Sequence, residues 1–259
     1  MTRPIVVVTA ESVTQLGDVA GHVLVAGSHG GIVAAHYAVR AGVRAVILHD
    51  AGIGKDAAGV AGLGWLERLG MAAAAVDHAT ARIADGRDML ARGVISRVNC
   101  VAQRLGAAPG MRCHDAAVLF LAAAQPRTYG GTYPEGRYEL APGVVGMDSI
   151  GMVETRDAGR VLVIGSHASL HGGRPESALG VDAALAFFHE AGGECSRLPV
   201  LEARGIAAAA VARDSARIGD ARSLWETGVV SNMNSVAMKA GLRGGMTVRE
   251  ASEAFAAAR

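Results

Sequence analysis

Residues 23–56 read VLVAGSHGGIVAAHYAVRAGVRAVILHDAGIGKD. Two apolar runs, 23–26 and 45–48, each break into a glycine-rich loop: Gly27-Ser28-His29-Gly30-Gly31, then His49-Asp50-Ala51-Gly52-Ile53-Gly54-Lys55-Asp56. Short, continuously apolar runs read as strands buried on both faces, and residues 33–40 between them are long enough for a helix. Strands that hand over to helices through glycine are the pattern of a parallel sheet covered on both sides. In such sheets ligands bind outside the carboxyl ends of the strands, so these two loops are the first candidate site.

Working outward, a strand is expected at 5–9. Downstream, the spacing predicts a helix over 57–69, a strand over 71–76 and a long helix over 94–105. The plan then recurs. Gly-His-Val-Leu-Val-Ala-Gly-Ser-His at 21–29 returns as Gly-Arg-Val-Leu-Val-Ile-Gly-Ser-His at 159–167. Residues 76–111 align without gaps on 211–246 with 15 identities in 36 positions, including Arg82, Asp85, Ser96, Asn99 and Met111 against Arg217, Asp220, Ser231, Asn234 and Met246. Shared small-residue bias does not put those polar types in register, and the period is far longer than a solenoid repeat, so this is a duplicated half. The expected fold is α/β, with two tandem duplicated Rossmann-like βαβ units, each with a mostly parallel sheet. Residues 1–125 form the first unit and carry the site; 126–142 are a linker with Pro126, Pro134, Pro142, Tyr129, Tyr133 and Tyr138; 143–259 form the second unit.

Composition bounds the function. The 259 residues are 51% hydrophobic and only 4% aromatic, with a formal net charge of +1. Charges of both signs are interspersed, which argues against a nucleic-acid partner or an anionic membrane surface. The apolar run 116–124 falls well short of the roughly 18 residues of a membrane span. Met1-Thr2-Arg3-Pro4 leads straight into strand-like sequence with no cleavage pattern, so a cytoplasmic location is expected. Cys100, Cys113 and Cys195 are odd in number and lack CxxC spacing, so neither a disulfide framework nor a structural zinc site is expected, and no residue is read as a metal ligand. Alanine-rich helices with few charges predict a homo-oligomer.

Duplication also sorts residues. Features kept by both halves are architectural or belong to a pseudo-symmetric pair of sites; features of one half are candidates for chemistry. Both keep Gly-Ser-His, while Gly30-Gly31 and Gly-Ile-Gly-Lys-Asp occur only in the first. In the first loop, Gly27, Ser28, Gly30 and Gly31 can present amides and a hydroxyl to a carboxylate or phosphate at a helix N-terminus, beside His29. Against this, Ser28 can simply cap the helix. In the second loop, Lys55 is one of two lysines beside 23 arginines, which suggests a compact amine that fixes or activates a carbonyl. His49 and Asp50 stand at the strand end where proton-transfer groups are displayed. Asp77 and His78 follow the next strand and are unique to the first half, where the second has Ala212 and Arg213.

The leading expectation is a hydrolase or lyase acting on a small anionic metabolite. Lys55, His49, Asp50 and His29 are its catalytic candidates, and Gly27, Ser28, Gly30, Gly31, Gly54, Asp77 and His78 its substrate-binding candidates. One alternative is a ligand-binding sensor with no chemistry. Another is an NAD(P)-dependent oxidoreductase, because Gly52-x-Gly54-x-x-Ala57 fits a loose dinucleotide pattern with Asp77 at the ribose position.

Overall fold

The computed structural model describes residues 4–127, 129–131, 133 and 135–258. Of the positions singled out above, Met1, Thr2, Arg3 and Pro134 lie outside the described residues, as do Thr128 and Thr132 of the expected linker. The chain divides into two compact units, Met1–Ile53 with Ala57–Tyr133, and Gly54–Asp56 with Pro134–Arg259.

The first unit runs β1 (Val7–Ala10), β2 (Val23–His29), α1 (Ile32–Arg40), β3 (Ala45–His49), α2 (Ala61–Arg68), β4 (Ala72–Val76), α3 (Gly86–Arg92), β5 (Ile95–Val98), α4 (Cys100–Arg104) and α5 (Cys113–Phe120). Its sheet has the order β1-β2-β3-β4-β5, with β1 to β4 parallel and β5 antiparallel to β4. The second unit runs β6 (Arg137–Ala141), β7 (Val144–Met147), β8 (Val161–His167), β9 (Leu185–His189), α6 (Arg197–Ala203), β10 (Ala207–Val211), α7 (Ala221–Thr227), β11 (Val230–Met233), α8 (Ser235–Lys239) and α9 (Val248–Ala257). Its sheet has the order β11-β10-β9-β8-β7-β6; β7 to β10 are parallel, and β6 and β11 flank them antiparallel. The chain is therefore an α/β protein of two tandem units, each on a mostly parallel sheet.

Both faces of each sheet are covered, and the alternation of side chains shows it. In the first unit Val23, Val25, Ile47, Ala72 and Ala74 pack with Met89, Cys113, Ala117 and Phe120. Leu24, Val46, Leu48, Ala73 and Ala75 point the other way, onto Ala34, Ala38, Leu63 and Leu66. That explains why the strands read as unbroken apolar runs. Strands β4 and β10 share the sequence AAAAV and are fully buried, so their helices approach on small side chains rather than large anchors. Burial pushes the Cys113 thiol up to about 12, leaving it an inert core group.

Three local expectations need correction. The helix expected over 94–105 is strand β5, then the single extended residue Asn99, then the short α4. The β-branched residues Val94, Ile95 and Val98 favour extended chain, and Asn99 at φ −89° and ψ 169° starts the helix afresh as its N-cap. Ser96 and Asn99 therefore do not share a helical face, and each bonds backbone within its own unit: Ser96 Oγ donates to the Ala75 carbonyl, as Ser231 Oγ does to Ala210. The helix expected over 57–69 begins only at Ala61, because Asp56 and Ala57 have φ of 55° and 54° and form a 3-10 turn with Lys55. Within the stretch read as a linker, residues 137–141 form strand β6 of the second sheet.

Besides the extra strand β6, one connection differs between the units. Where β2 leads to α1, β8 leads to two 3-10 turns, His171–Gly173 and Pro175–Ser177. Gly172 and Gly173 at φ 56° and 72°, followed by Pro175, break any helix there.

Candidate functional site

The Gly-Ser-His triplet is built identically into each unit. A Cβ on Gly27 would collide with the backbone of Ala84 and Asp85, and one on Gly165 with Asp148 and Asp220. These glycines let the loop before α3 or α7 lie against the strand, sealed by Ala84 N–H donating to Gly27 O and Gly219 N–H to Gly165 O, both at 2.8 Å. Ser28 does not cap α1. Gly31 is the N-cap, and Ser28 Oγ instead accepts from Val13 N–H at 3.0 Å, as Ser166 Oγ accepts from Ile150 N–H at 2.9 Å. His29 Nδ1 accepts from Gly31 N–H and His167 Nδ1 from Ser169 N–H. Gly30 N–H donates to the His49 carbonyl at 2.7 Å, so the amides of both Gly30 and Gly31 are engaged inside the fold.

His49 ends β3 at 1% exposure. Its Nδ1 accepts from Ala51 N–H at 3.0 Å, so Nε2 carries the proton and donates to the Ala81 carbonyl at 3.1 Å. Burial holds the imidazole neutral, below its ordinary range, against the opposing pull of the Ala81 carbonyl and Asp50. His189 repeats these bonds to Ala191 and Ala216, and burial pushes it down to about 4. The paired histidines act as locks on the turn after β3 and β9.

The turn after His49 is unusual backbone. Ala51, Gly52, Ile53 and Gly54 all have positive φ, and Ile53 N–H closes onto the Asp50 carbonyl at 2.8 Å. This is the mirror-image turn that residues with a Cβ adopt only at a cost. Gly52-x-Gly54-x-x-Ala57 therefore leads into a 3-10 turn rather than the N-terminus of a helix. Gly54 and Lys55 group with the second unit, where Lys55 Nζ donates to Thr227 Oγ1 at 2.8 Å and the Ser215 carbonyl at 3.2 Å.

The neighbouring parallel strands β3 and β4 bring Asp50, Asp77 and His78 together. Asp50 is 2% exposed, and its Oδ1 accepts from the backbone N–H of Gly52 at 2.9 Å and of His78 at 3.0 Å. Asp77 Oδ1 accepts from Ala79 N–H at 2.8 Å. His78 Nδ1 lies 3.3 Å from Oδ1 of each aspartate. One ligand-capable atom from each of the three falls within 4.8 Å of the others, a set that can hold a metal ion. The aspartates form ion pairs with no lysine or arginine among the described residues.

Among the described residues, the second unit has no such set. Glu190, Ala212 and Arg213 stand at the matching turns, although the surrounding bonds are kept: Asp50 N–H donates to Val76 O, and Glu190 N–H to Val211 O. Of the residues singled out from sequence, the fold thus gathers Asp50, Asp77 and His78, and ties Gly27, Ser28, His29, Gly30, Gly31 and His49 into bonds and packing within the scaffold. Sequence reasoning placed Asp50 in one region and Asp77 with His78 in another. The available signal was that both follow consecutive strands in the chain and that Asp77 and His78 are unique to the first half, whereas Asp50 has Glu190 at the matching place. Comparison with known protein families, curated proteins and solved structures finds no match.

Proposed function

We propose that the chain is an enzyme for a small anionic metabolite, a hydrolase or lyase, working at Asp50, Asp77 and His78. What carries this reading is the contrast between halves: the bonds of Gly27, Ser28, His49 and Asn99 recur in the second, while among the described residues a buried carboxylate, a half-exposed carboxylate and an imidazole converge in the first only. Two carboxylates and an imidazole within hydrogen-bonding range supply proton acceptors and a donor at one place. Asp50 is held by two backbone N–H groups, so it needs no reorganisation when charge moves. Asp77, at 39% side-chain exposure, offers the open side of the cluster to a substrate, while the His78 Nδ1 that faces both aspartates is itself buried.

The test is thermal melting of wild type, Asp77→Asn and His78→Gln against carboxylates, phosphates, cyclic amides and nucleotides. A ligand at about 100 times its Kd stabilises by about 2.7 kcal/mol, a shift of several degrees. A carboxylate or phosphate hit that both variants lose supports the assignment, and His78→Gln is then expected to lower turnover of that ligand about 10²–10⁴-fold. Hits indifferent to both substitutions refute it. Binding without turnover would make the protein a sensor.

A further inference from the structure

The site carries an electrostatic contradiction if its substrate is anionic. Two carboxylates meet there, no lysine or arginine pairs with them among the described residues, and the amides of Gly30 and Gly31 are already donated within the fold. An anion approaching Asp77 would be repelled. Something positive has to stand between them.

We propose that Asp50, Asp77 and His78 hold one divalent cation, with its remaining positions open to solvent and substrate. The inference rests on reading this cluster as the working site, and it moves His78 from proton carrier to ligand. The spacing fits: two ligands each about 2.1 Å from one ion stand about 3.0 Å apart in octahedral and about 3.4 Å apart in tetrahedral geometry. His78 Nδ1 stands 3.3 Å from each carboxylate oxygen. Backbone N–H groups fix both carboxylates, Asp50 by Gly52 and His78 and Asp77 by Ala79, through the same Oδ1 atoms that face His78 Nδ1, the support that ligating side chains need. One nitrogen and two oxygens suit Zn²⁺, Mn²⁺ or Fe²⁺ better than Ca²⁺, which takes six to eight oxygens. Three protein ligands leave positions for water or a substrate oxygen, as in catalytic rather than structural sites. The second unit supplies an internal control, since Ala212 cannot ligate and Arg213 brings its own positive charge.

The experiment titrates Mn²⁺ and Zn²⁺ into the full chain after chelator treatment, followed calorimetrically and, for Mn²⁺, by electron paramagnetic resonance. Wild type is expected to bind one equivalent. Asp77→Asn and His78→Gln should each weaken binding at least about tenfold, with melting temperatures of the metal-free proteins unchanged, because Asn can still accept from Ala79 N–H. Glu190→Gln should bind like wild type. Absence of saturable binding at millimolar cation, or equal affinity in all four proteins, overturns the proposal. The two readings fail separately. A metabolite hit that survives chelation yet needs Asp77 keeps the enzyme and removes the cation; one bound cation with no metabolite hit does the reverse.

Discussion

Asn99 fills every bond its amide can make. Oδ1 accepts from Ala102 N–H at 2.9 Å and Ala73 N–H at 3.2 Å, and Nδ2 donates to the carbonyls of Met71 at 2.8 Å and Leu63 at 3.3 Å. Asn234 repeats the set on Ala237, Ala208, Ile206 and Leu198. One buried side chain thus ties a strand, the turn before it and two helices. Asn99→Ala is expected to cost on the order of 4 kcal/mol, about 1 kcal/mol for each bond lost, in urea unfolding. A loss under about 1 kcal/mol would mean water replaces the amide. Gly27→Ala and Gly165→Ala should each destabilise by about 1–3 kcal/mol, since the colliding atoms are backbone and cannot swing away. His49 is different in kind from His78 though both were candidates for chemistry: the first spends both ring nitrogens on backbone, the second lies between two carboxylates.

At the level of elements, Asp85 and Asp220 cap α3 and α7 by accepting from Asp88 and Ser223 N–H, each at 2.9 Å. Replacing either by alanine is expected to cost about 1 kcal/mol, and calorimetric melting of the two variants should show matched losses. The strands were legible because Val-Ile-Ala runs admit little else, and the repeat was legible because Arg, Asp, Ser and Asn recur in register. The helix over 94–105 was misread because Val94, Val98, Val101 and Leu105 recur at helical spacing, with Ser96 and Arg97 falling between them as on a polar face. What ends the strand is the Asn99 cap, whose partners, Ala73 and Met71, are remote in sequence. The cluster was legible only as separate residues. Asp50 and Asp77 are 27 positions apart, and nothing local says that β3 and β4 are neighbours until His49 is seen paired with Val76.

For the molecule as a whole, acid is the expected weakness. Burial depresses His49, and it pushes His171 and His189 down to about 4 from 6.5, so the folded chain stays unprotonated where the unfolded chain takes up protons. Unfolded protein then binds more protons between pH 6.5 and 4, and stability falls as pH falls through that window. His189 alone accounts for about 3 kcal/mol by pH 4. Unfolding free energies from pH 7 to 4 should drop accordingly, and a flat profile would contradict this. The matched turns have a further consequence. Because Glu190, Ala212 and Arg213 sit on the same scaffold as Asp50, Asp77 and His78, the second unit is a ready host for a transplant. Glu190→Asp, Ala212→Asp and Arg213→His together should let the chain take up a second equivalent of Mn²⁺, making one polypeptide both donor and recipient of its own chemistry.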